Sequence, residues 1–290
     1  MEQPMKHVYL LGYPVGHSIS PPIYNATFPA MGIDAACEAW ATPPEDLAAV
    51  VADLRDPDCF GASVTIPHKE AVLLLLDEVD AGARAIGAVN CIVNRTGRLA
   101  GYNTDRYGFL RSLRESGYEA AGGRAVVLGA GGSARAVVAA LVGEGVALLT
   151  LTGRSAANLS EVAQALRLQL GAADATLETL GWDDAAFAGR CREANLIVNC
   201  TPVGMWGSGL DGRSPIDRSL ITPGATVLDL VYNPSETPLL GDAKAVGARP
   251  VGGLEMLVYQ AAENLRLWTG REPPIDIMRE VALKAISERH

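Results

Sequence analysis

The chain has 290 residues, 49% of them hydrophobic and 20% charged, which is enough material for two compact domains. Its formal net charge is −9, and it carries no Lys/Arg run longer than two residues, so the electrostatic footprint of a nucleic-acid or anionic-membrane binder is missing. The five cysteines, Cys37, Cys59, Cys91, Cys191 and Cys200, are scattered and form no C-x-x-C pair, which argues against a disulfide framework or a zinc centre and fits a reducing cytoplasm. Cys91 and Cys200 read as small buried thiols. The residues from Met1 to His7 lead directly into the apolar run Val8–Leu11, too short for an export signal or a membrane span, so neither export nor a membrane anchor is expected.

In chain order, periodicity predicts strand Val8–Gly12, helix Ser20–Met31, strand Ala35–Ala41, helix Pro44–Arg55, strand Phe60–Ile66 and helix Pro67–Leu76. Strict alternation implies a parallel sheet covered on both faces. Short strands at Ala88–Val93 and Leu99–Tyr102 bracket the turn Asn94-Arg95-Thr96-Gly97, and a helix follows over Thr104–Ser116. Gly117–Arg124 is polar and Gly-rich, so a domain boundary is expected there. A second series then begins: strand Ala125–Leu128, helix Ser133–Glu144, strand Ala147–Thr152, helix Asn158–Leu170, strands Leu196–Asn199 and Thr226–Asp229, and helices Met256–Thr269 and Ile275–Glu288.

Gly129-Ala130-Gly131-Gly132-Ser133-Ala134 follows an apolar strand and opens a helix. In that context G-x-G-x-x-A marks a dinucleotide site, because the glycines permit a tight turn and let backbone N–H groups approach a pyrophosphate at the helix N-terminus. Ala134 replaces the third glycine and still allows close helix–strand packing. An NAD-specific site carries an acidic residue about 20 positions on. Here the segment reads Leu151-Thr152-Gly153-Arg154-Ser155, with no carboxylate and with Arg154 placed to pair with a 2′-phosphate. NADP is therefore the expected cofactor.

Eight motifs stand in order along the chain: Gly16-His17-Ser18-Ile19-Ser20-Pro21, Val64-Thr65-Ile66-Pro67-His68-Lys69-Glu70, Gly87-Ala88-Val89-Asn90, Asn103-Thr104-Asp105, the Gly129–Arg135 turn, Asn199-Cys200-Thr201-Pro202-Val203-Gly204-Met205, Asp229-Leu230-Val231-Tyr232-Asn233-Pro234 and Met256-Leu257-Val258-Tyr259-Gln260. With them the chain resembles the shikimate dehydrogenase family nearly end to end. The resemblance implies a two-domain α/β protein: an N-terminal α/β substrate domain with a largely parallel sheet (1–105 and 256–290), and a Rossmann-type, doubly wound dinucleotide-binding domain (106–255). An active cleft between the two is implied as well.

Residue by residue, the resemblance implies that Ser18 and Ser20 bind the substrate carboxylate, that Thr65, Asn90, Asp105 and Gln260 hold ring hydroxyls, and that Tyr232 lines the pocket. Lys69 matches the catalytic lysine. Its chemistry suits the role, since a carbonyl receiving hydride needs a proton donor at oxygen and Asp105 can hold the ammonium in place. Thr201, Val231, Gly253 and Met256 are expected at the cofactor, together with Gly129–Ala134, Arg154 and Ser155. His17 and His68 are read as structural.

Some positions depart from the family pattern. Ser63 stands where Asn is usual, Arg106 and Tyr107 where small or apolar residues are common, Glu255 where Gly is frequent, Gly153 where Asn is common, and Asn158 where a second basic residue is often found. Losing that second cation leaves NAD open beside NADP. The resemblance thus implies a cytoplasmic NADP-dependent enzyme of chorismate and aromatic amino acid biosynthesis, a monomer or homodimer, interconverting shikimate and 3-dehydroshikimate without metal, nucleic acid or membrane. A quinate/shikimate or aminoshikimate dehydrogenase, and a non-catalytic binder on the same fold, are the alternatives.

Overall fold

The computed structural model describes residues 5–16, 18–170 and 176–288, with the side chains of 166–170 excepted. The chain divides into two compact units, Met1–Gly108 with Val258–His290, and Phe109–Leu257. Among the described residues no helix is long and apolar enough to cross a membrane.

The first unit runs β1 (Lys6–Gly12), α1 (Ser20–Ala30), β2 (Ala35–Ala41), α2 (Leu47–Asp53), β3 (Cys59–Val64), β4 (Glu78–Val79), α3 (Ala81–Ile86), β5 (Cys91–Arg95) and β6 (Arg98–Tyr102). Its sheet has the order β2-β1-β3-β5-β6-β4. The expected parallel sheet needs one correction: β5 pairs antiparallel with both β3 and β6, while every other pairing is parallel. A tight β5–β6 hairpin, with Thr96 and Gly97 both at positive φ, forces that reversal. The start of β5 therefore lies at the same sheet edge as the ends of β1, β3 and β6.

The predicted helix Pro67–Leu76 is also corrected, because only Ala71–Leu75 is helical, as a 3-10 turn. One i→i+4 bond forms, Val72 N to His68 O at 3.0 Å, but the Lys69 carbonyl accepts from Val89 N at 2.7 Å and Leu73 N donates instead to Glu70 O, so the α-helical ladder does not continue. Likewise the predicted helix from Pro44 begins as a 3-10 turn, Pro44–Asp46, before α2.

The second unit takes up most of α4 (Asp105–Glu115), then β7 (Arg124–Leu128), α5 (Gly132–Gly143), β8 (Leu148–Gly153), α6 (Ala156–Leu170), β9 (Thr176–Gly181), α7 (Phe187–Glu193), β10 (Leu196–Asn199), β11 (Thr226–Asp229), α8 (Pro238–Ala245), β12 (Arg249–Gly252) and the start of α9 (Leu254–Thr269). The rest of α9, and α10 (Ile275–Ser287), belong to the first unit. Phe109 and Leu113 of α4 are buried in the second unit's core with Val127, Val137, Leu141 and Leu149. The chain thus enters this unit inside α4, ahead of the Gly-rich stretch 117–124.

All six strands of the second sheet are parallel, in the order β12-β11-β10-β7-β8-β9. Numbered within the unit this is 3-2-1-4-5-6 read from the far edge, the doubly wound dinucleotide-binding order, whose crevice opens at the carboxyl ends of the two strands where the order reverses. Here those are β7 and β10.

The core of the first unit tolerates no side chain at Gly61 in β3. Its φ is +141° and an added Cβ would lie 2.0 Å from Ile92 O, the carbonyl to which Trp268 Nε1 donates at 2.8 Å. Gly61→Ala is expected to destabilise the protein by about 1–3 kcal/mol. An unchanged urea midpoint would contradict this close approach.

Candidate active and cofactor sites

The substrate-type residues of the first unit gather at one sheet edge for topological reasons. Thr65 and Lys69 follow β3, Asp105 follows β6, and Asn90 immediately precedes the antiparallel β5. Lys69 Nζ donates to Asp105 Oδ2 at 2.5 Å, with the two side chains only 12% and 6% exposed. Asn90 Nδ2 donates to the other oxygen, Asp105 Oδ1, at 2.8 Å and to Thr104 Oγ1 at 2.9 Å. Gln260 Oε1 also lies 3.3 Å from Asn90 Nδ2. An ion pair so enclosed holds together only when its remaining valences are met, and here a neutral amide meets the carboxylate's.

The network extends through residues that no motif reading assigned a role. Asn90 Oδ1 accepts from Thr104 N at 2.6 Å, Thr104 Oγ1 donates to Asn264 Oδ1 at 2.7 Å, and Asn264 Nδ2 donates to Tyr24 Oη at 2.9 Å. Burial pushes the Tyr24 hydroxyl far above its ordinary range, so it stays neutral. Ser63, the departure on β3, is buried. Asn264 stands four residues after Gln260, on one face of α9. That spacing was the available signal.

Ser18 and Ser20 form a pair at the start of α1, with Ser18 Oγ 3.2 Å from both Ser20 Oγ and Ser20 N. Pro21 and Pro22 occupy the first helical turn, and no side chain caps it. Thr65 is half-buried, held by Thr65 N donating to Leu11 O at 2.8 Å. An added Cβ at Gly12 would come 2.4 Å from the Thr65 methyl, so glycine there lets β1 and the Thr65 segment close together. His68 is buried, its Nε2 2.7 Å from Thr42 O, which is a structural role. His17 lies outside the described residues. Arg106 and Tyr107 are exposed on α4.

The remaining expected residues belong to the second unit, at the carboxyl edge of its sheet. Gly129, at φ +108°, follows β7; an added Cβ would lie 3.1 Å from Cys200 O, so the turns after β7 and β10 abut. Gly131 is the N-cap of α5 and no side chain satisfies the helix start. An uncapped helix N-terminus behind a glycine turn fits a pyrophosphate. Ala134 is fully buried against the sheet and Ala130 partly so.

Arg154 is exposed after β8, and with Gly153, Gly181, Trp182, Asp183 and Asp184 it lines a cleft of about 400 Å³. Gly153 and Gly181 are register partners at the ends of β8 and β9. Ser155 Oγ accepts from Asn158 N at 3.2 Å and caps α6. Thr201, Val231 and Gly253 follow β10, β11 and β12, and Tyr232 is half-buried beside Val231. Met256 packs its side chain into the unit's core. Cys91 is fully buried, whereas Cys200, expected to be buried, is half-exposed at the crevice edge because it sits in the turn beyond β10.

Sequence reasoning gave no role to Asn199 and Asp229, at the ends of β10 and β11. Asn199 Nδ2 donates to Asp229 Oδ1 at 2.9 Å, Val231 N to the same oxygen at 3.0 Å, and Thr237 Oγ1 to Oδ2 at 2.6 Å. Burial raises the Asp229 carboxyl to about 6, against these three donors, which lower it.

Known proteins share this architecture. The family model for the shikimate dehydrogenase substrate binding domain matches residues 10–92, and that for the shikimate 5′-dehydrogenase C-terminal domain matches residues 253–283. The chain is 46% identical over 279 residues to the NADP(+) shikimate dehydrogenase of Moorella thermoacetica, covering 96% of this chain and 93% of that protein. Among solved structures, shikimate 5-dehydrogenase of Thermus thermophilus, in complex with NADP(H) and shikimate, is 38% identical with a TM-score of 0.84 over 97% of this chain and 100% of that one. Quinate dehydrogenase of Corynebacterium glutamicum, in complex with NAD, is 31% identical with a TM-score of 0.86 over 97% and 99%. By sequence identity sustained over nearly its whole length, the chain belongs to the shikimate dehydrogenase family.

Proposed function

We propose that this chain is an NADP-dependent shikimate dehydrogenase that reversibly reduces 3-dehydroshikimate to shikimate, a step on the route to chorismate and the aromatic amino acids. The observation that carries the reading is the enclosed cluster in which Lys69 bonds to one oxygen of Asp105 and Asn90 to the other. A pure binder has no need of an ammonium held ready beside a carboxylate.

In this reading the first unit takes the substrate and the second takes NADP. Ser18 and Ser20 offer paired hydroxyls at the start of α1 to the substrate carboxylate. Thr65, Asn90, Asp105 and Gln260 hold the ring hydroxyls. Gly129–Ala134 cradle the pyrophosphate, Arg154 pairs with the 2′-phosphate, and the turns bearing Thr201, Val231 and Gly253 meet the nicotinamide half. Reduced NADP, when bound, supplies the hydrogen and electron pair that add to the carbonyl carbon.

Lys69 does the proton chemistry. As the C=O bond opens, Lys69 Nζ gives a proton to the oxygen and the product hydroxyl forms; solvent then reprotonates the amine. In the reverse direction the neutral amine takes the hydroxyl proton. Asp105 fixes the ammonium, and Asn90 fixes Asp105. Because five separate thiols suit a reducing compartment, we place the enzyme in the cytoplasm.

A second reading, use of NAD in place of or beside NADP by a quinate/shikimate-type dehydrogenase, draws on one feature of the cofactor side. Arg154 faces the cofactor cleft without a second cation at position 158, and Asp183 and Asp184 line the same cleft.

Initial rates on shikimate and quinate with each cofactor decide between them. The highest kcat/KM is expected for shikimate with NADP, and a clear preference for quinate with NAD would overturn the assignment. Arg154→Ala is expected to raise KM for NADP about tenfold or more while sparing NAD. Equal effects on both cofactors would remove Arg154 from the phosphate site.

A further inference from the structure

We propose that Asp229 is a positioning residue for the dinucleotide: its buried carboxylate ties together the turns after β10 and β11, against which the nicotinamide half is held. The inference rests on the functional reading above and adds to it a residue outside the expected site.

The carboxylate gathers three segments. Through Asn199 it reaches the turn after β10, because Asn199 Oδ1 accepts from Thr201 N at 3.0 Å and Thr201 Oγ1 at 2.7 Å, and Thr201 Oγ1 in turn accepts from Val203 N at 3.2 Å. Through Val231 N it bends the chain directly after β11. Through Thr237 it reaches α8, since Thr237 Oγ1 also accepts from Leu240 N and caps that helix. The chain after β12 closes on the same point: a Cβ at Gly253 would lie 2.4 Å from Leu230 O and 2.8 Å from Asp229 O. The glycine turn and Arg154 stand after β7 and β8, so the adenosine half falls to that side of the crevice. By the two-halves logic of a doubly wound sheet, β10, β11 and β12 face the nicotinamide half.

Stability does not explain the anion. Asp229 is fully buried and all three of its donors are uncharged. Of the elements packed against β11, β10 carries no ionisable group. In β12, Arg249 donates to Ser116 O at 3.0 Å. Asp242 and Lys244 lie on α8, with Lys244 paired to Glu236 at 2.8 Å; neither is bonded to Asp229.

The sign of the linkage follows from the raised carboxyl. The folded state binds this proton more tightly than the unfolded state, so stability from the protonated form is present at low pH and is lost as pH rises through about 6. At pH 8 the ionised carboxylate is a cost to the fold. What it supplies is geometry, an acceptor for three donors at once that a neutral amide cannot match.

Asp229→Asn and the milder Thr237→Val test this in the intact chain, titrated at pH 8 with whichever of NADP and NAD the wild type binds more tightly. We expect cofactor dissociation constants raised about tenfold for Asp229→Asn and about threefold for Thr237→Val, with shikimate affinity within about twofold of wild type. Amide exchange at Thr201 and Val231 in the cofactor-free protein should quicken. The melting temperature of Asp229→Asn should equal or exceed that of wild type at pH 8, with any advantage shrinking toward pH 5.

Wild-type cofactor affinity in both folded variants would overturn the proposal. So would a lowered melting temperature with undisturbed affinity, which is the signature of a merely structural residue. If Asp229→Asn does not fold, Thr237→Val decides alone. A wild type that binds and turns over normally separates failure of this inference from failure of the functional reading. A wild type that binds neither cofactor removes both.

Discussion

The ion pair between Lys69 and Asp105 sets the terms for the first unit. Two charges that are almost wholly withdrawn from water are costly to hold, and the attraction between them compensates only when the leftover hydrogen-bonding valences are met. Asn90 meets the carboxylate's, Thr104 and Asn264 hold Asn90, and buried Tyr24 ends the chain. The cluster therefore depends on where Asn90 sits, and Asn90 reaches the edge shared by β1, β3 and β6 only because β5 runs against its neighbours. A topological detail, the hairpin at Thr96-Gly97, thus has a chemical consequence.

The second unit applies another rule. Its parallel strands bring every turn of interest to one carboxyl edge, and the turns proposed to meet the cofactor are supported from below. On the side of β7 and β8 that support is packing, with Ala130 and Ala134 against the sheet. On the side of β10 and β11 it is polar, with Asn199 and Asp229 at the strand ends and Thr237 joining from the start of α8. The difference fits the two halves of a dinucleotide, one anchored by phosphates and charge, the other presented at a fixed face.

Much of the fold was legible in the sequence where one signal dominated. The runs Leu196–Asn199 and Thr226–Asp229 match their strands residue for residue, because strands buried on both faces carry consecutive apolar residues, here Leu196-Ile197-Val198 and Val227-Leu228. Short elements with mixed faces were not legible. β9, reading Thr-Leu-Glu-Thr-Leu-Gly, and β12, with Pro250 tolerated on a sheet edge, carry little periodicity. The direction of β5 is not encoded in βα alternation at all. At the site, the family resemblance pointed to Lys69 and Asp105, but the bonds that hold the cluster join residues as far apart as Tyr24 and Asn264, a separation no local pattern reports. Asp229 was visible only as part of a motif, since nothing in its spacing indicates which donors surround it.

At the centre stands the proposal that Lys69 moves the proton and does not merely bind. Lys69→Ala in the full-length chain, assayed by single-turnover reduction beside equilibrium titration of shikimate, addresses it directly. We expect a fall in the reduction rate of about 10²–10⁴-fold with shikimate affinity little changed. A rate within about tenfold of wild type, or rate and affinity falling by the same factor, would contradict it.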